Sequence, residues 1–280
     1  MPLTCTPLRY PGGKSKLYDF MVKLLKHNRL NGCTYVEPFA GGAGLALSLL
    51  QKGHVNEIII NDLDYSIYAF WYCVLYETEK FVHAITEMPI NIDEWEKQRD
   101  IQRRQNEYGI FEVGLSTFFL NRVNRSGIIK GGVIGGLCQE GQYRLDCRFN
   151  KTNLIEKIKR ISTMKDRIKL YNLDVVEFIP SIINDLSNHS LIYFDPPYFA
   201  QGSNLYYNYY TIEDHKALSI LIKKIRQPWI LTYDNEPLVY EFYRGYRISE
   251  LRLTYSAGSK RSGTELVVYG TKISPLDSSK

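Results

Sequence analysis

Leu191-Ile192-Tyr193-Phe194-Asp195-Pro196-Pro197-Tyr198 reads as a buried strand that stops on a carboxylate and leaves through two prolines. Proline fixes φ and removes the main-chain donor. The residue ahead of a proline is driven to extended geometry. The Asp195 carboxylate, the Pro196 carbonyl and the Tyr198 ring are therefore expected as a stiff array at a strand terminus. Such an array presents two acceptors and one aromatic face. That combination suits a planar heterocycle with an exocyclic amino group, which donates one hydrogen to each acceptor while its ring stacks on tyrosine. The competing reading is a strand followed by a proline turn with no ligand. Further motifs, in order along the chain, favour the first.

Upstream, Thr34-Tyr35-Val36 reads as a strand, then Glu37-Pro38-Phe39-Ala40-Gly41-Gly42-Ala43-Gly44 as a loop opening an apolar helix, Leu45 to Leu50. A second strand, Glu57 to Asn61, ends at Asp62, and a helix follows from Asp64 to Tyr76. Residues 78–120 carry helical periodicity, Gly127 to Gly141 reads as a loop or hairpin, and 152–165 as a helix. Strand 167–171, helix 174–184, strand 191–194, helix 211–226 and strand 229–233 restore the alternation. Thr211-x-x-Asp214 gives that last helix a capping box. Two late strands, 246–254 and 264–270, flank a polar turn at 256–263. Alternating strands and helices predict an open, mostly parallel α/β sheet. Residues 1–77 and 166–273 form its domain, 78–165 a mostly helical insert, and 274–280 a disordered tail.

The chain has 280 residues, 44% hydrophobic and 23% charged, as a globular protein does. No apolar run approaches membrane-spanning length, and the N-terminus is no secretory signal. Five widely spaced cysteines support neither a disulfide framework nor a metal site, and none of the five histidines pairs at metal spacing. A reduced, cytoplasmic setting is the expectation. The net charge of +5 is uneven: Lys97 to Lys169 holds 16 Lys/Arg against 7 Asp/Glu. A basic middle is either a polyanion-binding surface or a solvated charged face.

Four strand ends carry candidate ligands: Glu37 with Pro38, Phe39 and Gly41; Asp62; Asp174; and Asp195. Ligands of open α/β sheets bind beyond the carboxyl ends of the strands. The glycines let a ligand approach the backbone, while Glu37 and Asp62 repel phosphate, so a cationic or zwitterionic nucleoside fits better than a dinucleotide. Asp62 suits a ribose diol, and Asp62 or Asp64 also suits a helix N-cap. Asp174 is either an acceptor for an adenine amine or another N-cap. Tyr10-Pro11-Gly12-Gly13-Lys14-Ser15 lacks the first glycine of a P-loop, having Leu8 there. It reads instead as a turn closing over a bound adenine or carboxylate. Phe118 to Lys130 mixes aromatics, amides and bases; Arg and Asn read base edges, and Arg144 adds a phosphate contact. Asn121 and Arg122 are assigned to holding the insert together, and Arg125 and Lys130 to DNA. Leu205 to Tyr210, dense in tyrosine, either walls a pocket or packs on the sheet.

Taken together, Leu8-Arg9-Tyr10-Pro11-Gly12-Gly13-Lys14, Val36-Glu37-Pro38-Phe39, Asn61-Asp62, Leu120-Asn121-Arg122 with Gly127, and Asp195-Pro196-Pro197-Tyr198 resemble the DNA adenine methylase (Dam) family. The resemblance implies a Rossmann-like methyltransferase sheet with S-adenosylmethionine contacted by Tyr10, Lys14, Asp62, Asp174 and Asp195. It implies double-stranded DNA as partner, bound through an insert carrying a β-hairpin or loop, with Arg9, Asn124, Arg125, Ser126, Lys130 and Arg144 as DNA contacts. Where Dam proteins reading GATC have aromatic-Asn-Gly, this chain has Arg125-Ser126-Gly127, and Lys130 replaces an arginine. A lysine is no bidentate fork, so the recognition sequence does not carry over.

The expected activity is methyl transfer to adenine N6 of a base flipped from the duplex, with Asp195, Pro196 and Tyr198 as catalytic residues and no metal. RNA adenine-N6 or cytosine-N4 methylation, and a non-catalytic DNA-binding module, are the alternatives. A monomer or weak dimer acting on nucleoid or phage DNA, with or without a cognate restriction endonuclease, completes the expectation.

Overall fold

A computed structural model describes residues 5–9, 15–199, 210–255 and 261–276. It comprises two compact units, Gly12–Leu63 with Arg167–Lys280, and Met1–Pro11 with Asp64–Asp166.

The first unit is built on a seven-stranded sheet. Its strands are β1 (Cys33–Glu37), β2 (Val55–Asn61), β3 (Ile168–Tyr171), β4 (Ser190–Phe194), β5 (Trp229–Asp234), β6 (Arg247–Tyr255) and β7 (Arg261–Tyr269), in the order β3-β2-β1-β4-β5-β7-β6. Pairings among β1 to β5 are parallel, and β7 runs antiparallel to both β5 and β6. This is the open α/β sheet expected of a Rossmann-like methyltransferase. Strands covered on both faces read as continuous apolar runs, and all five residues of β4 are buried.

Side chains alternate across the sheet. Val36, Ile59, Ile192, Phe194 and Leu231 face one core, against Phe178 and Ile179 of α8 (Val175–Ile182) and Leu218 and Ile222 of α9 (Ile212–Lys223). Tyr35 and Tyr193 point to the opposite face, where their rings stack with centroids 6.4 Å apart. Helix α2 (Gly44–Gln51) packs on β1 and β2, with α1 (Ser15–His27) beside it. The capping box of α9 forms as its sequence dictates: the Asp214 amide donates to Thr211 Oγ1 at 3.2 Å, and the Thr211 amide donates to Asp214 Oδ2 at 2.8 Å.

Two helices of this unit went unread in the sequence, α1 and the short α10 (Pro237–Phe242). The signal for α1 is present: Leu17, Met21, Leu24 and Leu25 are fully buried at helical spacing. Ser274, the first residue of the expected tail, is bonded to Asn28, and residues 277–280 lie outside the described residues. The Ser274 amide donates to Asn28 Oδ1 at 2.7 Å, and Asn28 Nδ2 donates to the Ser274 carbonyl at 3.0 Å. Residues 256–260 of the late turn lie outside the described residues.

The second unit is helical: α3 (Tyr65–Tyr76), α4 (Thr78–Glu87), α5 (Ile92–Arg103), α6 (Ile110–Val123) and α7 (Lys151–Ser162). The unit begins at Asp64, ahead of the boundary read at 78, because α3 completes its core. Phe70 stacks on Phe118 with 10° between planes. A side chain at Gly114 would meet the Ala69 carbonyl at 2.5 Å, so glycine lets α6 approach α3 closely. The stretch 127–141 forms turns closed by one antiparallel bridge, Asn124 to Val133, which is the loop of the two alternatives.

Candidate active site

In the strand order, β1 and β4 are neighbours from which the chain winds outward in opposite directions, and Val36 pairs with Ile192. Ligand crevices of open α/β sheets form at such a switch point. The loop after Glu37 and the Asp195 turn both start there. Asp62 and Asp174 follow the adjacent ends of β2 and β3, where Asn61 pairs with Tyr171.

Three of these acids shape the crevice from within. Glu37 is buried, and its Oε1 accepts the Ala46 amide at 3.1 Å, tying β1 to the first turn of α2. Asp62 Oδ2 accepts the Gly41 amide at 2.7 Å. Gly41 and Ala43 both take positive φ, 48° and 45°. For alanine that is an uncommon, strained conformation of the kind that clusters at binding loops. Asp174 caps α8, accepting the Val176 amide at 2.9 Å, and Asp64 caps α3, accepting the Ser66 amide at 2.9 Å. Pro38 contributes its carbonyl to Asn61 Nδ2 at 3.0 Å. Phe39 lies edge-on to Tyr210 at 6.0 Å. Burial, then the charges of Asp174, Asp214 and Asp62, push the Tyr210 phenol up from its ordinary pKa.

Tyr10 and Lys14, read as cofactor contacts, lie outside the described residues, as do residues 205–209 of the tyrosine-dense stretch.

The donor set matches the group expected here. The described side chains are carboxylates and aromatics: Glu37, Asp62 and Asp174 with Phe39 and Tyr210. A carboxylate-lined crevice disfavours pyrophosphate and favours a cationic sulfonium nucleoside with a ribose diol.

Asp195 follows β4 directly. Thr232 Oγ1 donates to its Oδ1 at 2.9 Å, and the Tyr198 hydroxyl donates to the same oxygen at 3.3 Å. Burial first, then the Asp195 charge, holds the Tyr198 phenol well above its ordinary pKa, so it remains a donor. Pro196 is buried, and the rings of Tyr198 and Tyr233 lie 6.4 Å apart. Behind them His215 is buried on the first turn of α9. Its Nδ1 pairs with the Tyr233 hydroxyl at 2.8 Å, and its ring stacks on Phe199 at 3.8 Å. Burial lowers the His215 pKa from 6.5 to about 4, so the imidazole is neutral near pH 7. Thr232 and Tyr193, which lie beside Asp195 in this arrangement, carry no motif of their own in the sequence, whereas Asn61 stands in the Asn61-Asp62 pair. A threonine inside the apolar run Trp229 to Tyr233 was the available signal.

In the helical unit the expected DNA contacts separate. Arg125, Ser126, Lys130 and Arg144 are exposed, with Ser126 at φ 56°. Asn124 is corrected: its side chain is fully buried and committed internally. Its Oδ1 accepts Trp95 Nε1 at 2.7 Å, and its Nδ2 donates to the Ile128 and Ile129 carbonyls at 3.0 and 2.8 Å. No polar atom is left to read a base. Arg9 is half committed. Its Nη1 donates to the Arg122 and Asn124 carbonyls at 3.3 and 2.8 Å, and its main chain is bonded both ways to Asn121 at 2.7 and 2.8 Å. Asn121 and Arg122 hold the unit together as assigned; Arg122 Nε donates to the Arg148 carbonyl at 2.8 Å.

Among the described residues no group of three or more His, Cys, Asp or Glu is placed to hold a metal, and no helix is long and apolar enough to cross a membrane.

The chain is 23% identical over 222 residues to Type II methyltransferase M.MjaIII of Methanocaldococcus jannaschii, covering 74% of this chain and 73% of that protein. It is 22% identical over 283 residues to Type II methyltransferase M1.LlaDCHI of Lactococcus lactis subsp. cremoris, covering 93% of each. A solved Pyrococcus horikoshii structure titled as a candidate RNA methyltransferase aligns over 94% of this chain and 86% of its own, at 12% identity and a TM-score of 0.45. A likeness at that level carries no argument. Residues 10–257, which include every strand end of the crevice, match the model of one family. The chain belongs to the D12 class N6 adenine-specific DNA methyltransferases.

Proposed function

We propose that Asp195, Pro196 and Tyr198 grip the amino group of an adenine turned out of the duplex, and that the crevice at Glu37, Phe39, Gly41, Asp62 and Asp174 holds the methyl donor beside it. The observation that carries this reading is the carboxylate of Asp195 at the β1/β4 switch point, with Oδ1 held by two hydroxyls. S-adenosylmethionine supplies an electrophilic methyl group on a sulfonium.

The adenine amine is a weak nucleophile because its lone pair is delocalised into the ring. Asp195 accepts one of its hydrogens and the Pro196 carbonyl the other, which draws the nitrogen toward a pyramidal geometry; attack on a sulfonium methyl would then form the N–C bond as the C–S bond breaks, leaving a neutral thioether, with the surplus amine proton passing by way of Asp195 to solvent. Preorganised acceptors and positioning do this without a covalent enzyme intermediate. Turning the base out costs about a few kcal/mol. Stacking on Tyr198 returns about 1–3 kcal/mol of that. Arg125, Ser126, Lys130 and Arg144 form the DNA-facing set, with Arg9 ordering the segment that carries them.

The test is transfer of a labelled methyl group from S-adenosylmethionine to double-stranded DNA, followed by nucleoside analysis. Wild type yields N6-methyladenine, and folded Asp195→Ala yields none above background. Wild-type labelling by that variant removes Asp195 from the mechanism.

A further inference from the structure

We propose that Thr232 and Tyr193 are positioning residues that fix the plane of the Asp195 carboxylate through a buried hydroxyl chain. The inference rests on Asp195 being the acceptor for the target amine.

Thr232 is fully buried in β5, and Tyr193 is 3% exposed in β4. The Thr232 hydroxyl has one proton, and it is directed at Asp195 Oδ1, 2.9 Å away. The Tyr193 hydroxyl lies 2.8 Å from Thr232 Oγ1. With the threonine proton already committed, tyrosine must donate. The order is therefore Tyr193 to Thr232 to Asp195. The far end of the chain is held by the stack of Tyr193 on Tyr35 at 6.4 Å and 22°.

Packing alone does not ask for threonine here. Its neighbours Trp229, Ile230, Leu231 and Tyr233 are buried with it, and valine has the same shape. A buried hydroxyl is unfavourable unless bonded, and this one is bonded to Asp195. Asp195 needs such a partner because the terminal torsion of an aspartate is broad and barely restrained by its own rotamer preferences. With Thr232 and Tyr198 both donating to Oδ1, rotation of the carboxylate is arrested. The geometry offered to the amine is thus set before any substrate arrives. A misplacement of about 1 Å in a reacting group costs on the order of 100-fold in rate.

The experiment measures the single-turnover rate of methyl transfer at saturating double-stranded DNA and S-adenosylmethionine, with the apparent affinity for each. Thr232→Val is expected to slow the step about 10- to 100-fold, with both affinities close to wild type. Thr232→Ser, which keeps the donor, is expected to stay within about threefold of wild type. Thr232→Val also removes Thr232 Oγ1 as the acceptor of the Tyr193 hydroxyl. The double variant Thr232→Val with Tyr193→Phe should therefore regain thermal stability without regaining rate. That split separates positioning from folding and keeps the test informative if Thr232→Val alone folds poorly. Asp195→Asn is run alongside. If it retains the wild-type rate, the assignment of Asp195 fails. If it is dead while folded Thr232→Val or the double variant runs at the wild-type rate, the positioning role fails. Equal slowing by Thr232→Ser and Thr232→Val also overturns the role of the hydroxyl.

Discussion

Asn61 is the residue whose alteration most directly tests how the crevice is held. It ends β2 with 1% exposure. Its Nδ2 donates to the carbonyls of Pro38 and Leu173, each at 3.0 Å, and its Oδ1 accepts the Leu173 amide at 2.9 Å. The amide orientation is fixed by chemistry, since two acceptors face one atom and a donor faces the other. One side chain thus ties the glycine-bearing loop after β1 to the segment after β3. Asn61→Ala leaves three main-chain groups without this partner. A buried polar group without a partner costs about 1–3 kcal/mol. With partial relaxation, a loss of about 3–5 kcal/mol follows, a large share of the ~5–15 kcal/mol that a protein has. Urea unfolding reads this directly: at a slope of about 1–3 kcal/mol per M the midpoint falls by more than ~1 M.

Asn61→Asp sharpens the test without changing shape. It keeps the bond to the Leu173 amide but turns an oxygen toward two carbonyls. The protonated acid restores one donor, so the folded state holds that proton more tightly than the unfolded chain. Stability of this variant therefore falls as pH rises, with the greatest relief in acid. Calorimetric binding of S-adenosylmethionine should weaken at least about tenfold in both variants, roughly 1.4 kcal/mol. A stability loss below about 1 kcal/mol in Asn61→Ala, together with wild-type cofactor affinity, would refute the clamp.

Gly127 has φ +77°, and a Cβ there would collide with the Arg9 carbonyl and lie 2.9 Å from Arg9 Cβ. Gly127→Ala should lower stability by about 1–2 kcal/mol from backbone conformation alone, with backbone displacement adding to it; an unchanged melting temperature would contradict the close approach. His215 gives a pH signature. Its pKa is lowered from 6.5 to about 4 by burial, opposed by the Asp214 charge, so between those values the unfolded chain binds a proton that the folded one does not. Stability accordingly rises with pH across that window and levels off near neutrality. Thermal melts from pH 4 to 8 should show His215→Phe with a shallower acid slope than wild type, and an identical slope would remove His215 as its source.

Much of the sheet unit was legible because its signals are local. A double proline stiffens its own neighbourhood, and the Thr211/Asp214 box closes within one turn. The acids at 37, 62, 174 and 195 announce themselves at the ends of apolar runs. Helix α1 has an equally local pattern, Leu17, Met21, Leu24 and Leu25, but it starts directly after Gly-Gly-Lys, a sequence that also suits a turn.

The helical unit was harder. Composition shows that Asn124 and Arg125 stand among bases and aromatics, but not which way each points. The Trp95 indole, 29 residues away, takes Asn124 into the interior, while Arg125 stays at the surface.

By itself, then, the sequence determined the alternation of strands and helices in the sheet unit and the carboxylates at its strand ends. Those properties depend on backbone restrictions and periodicities that act over a few residues. Only the tertiary structure decided which atom restrains which. Thr232 reaches Asp195 across 37 positions, and Asn61 reaches Leu173 across 112. Such partnerships follow from strand order and register. They are settled by burial, where a polar group must find whichever partner packing brings within 3 Å.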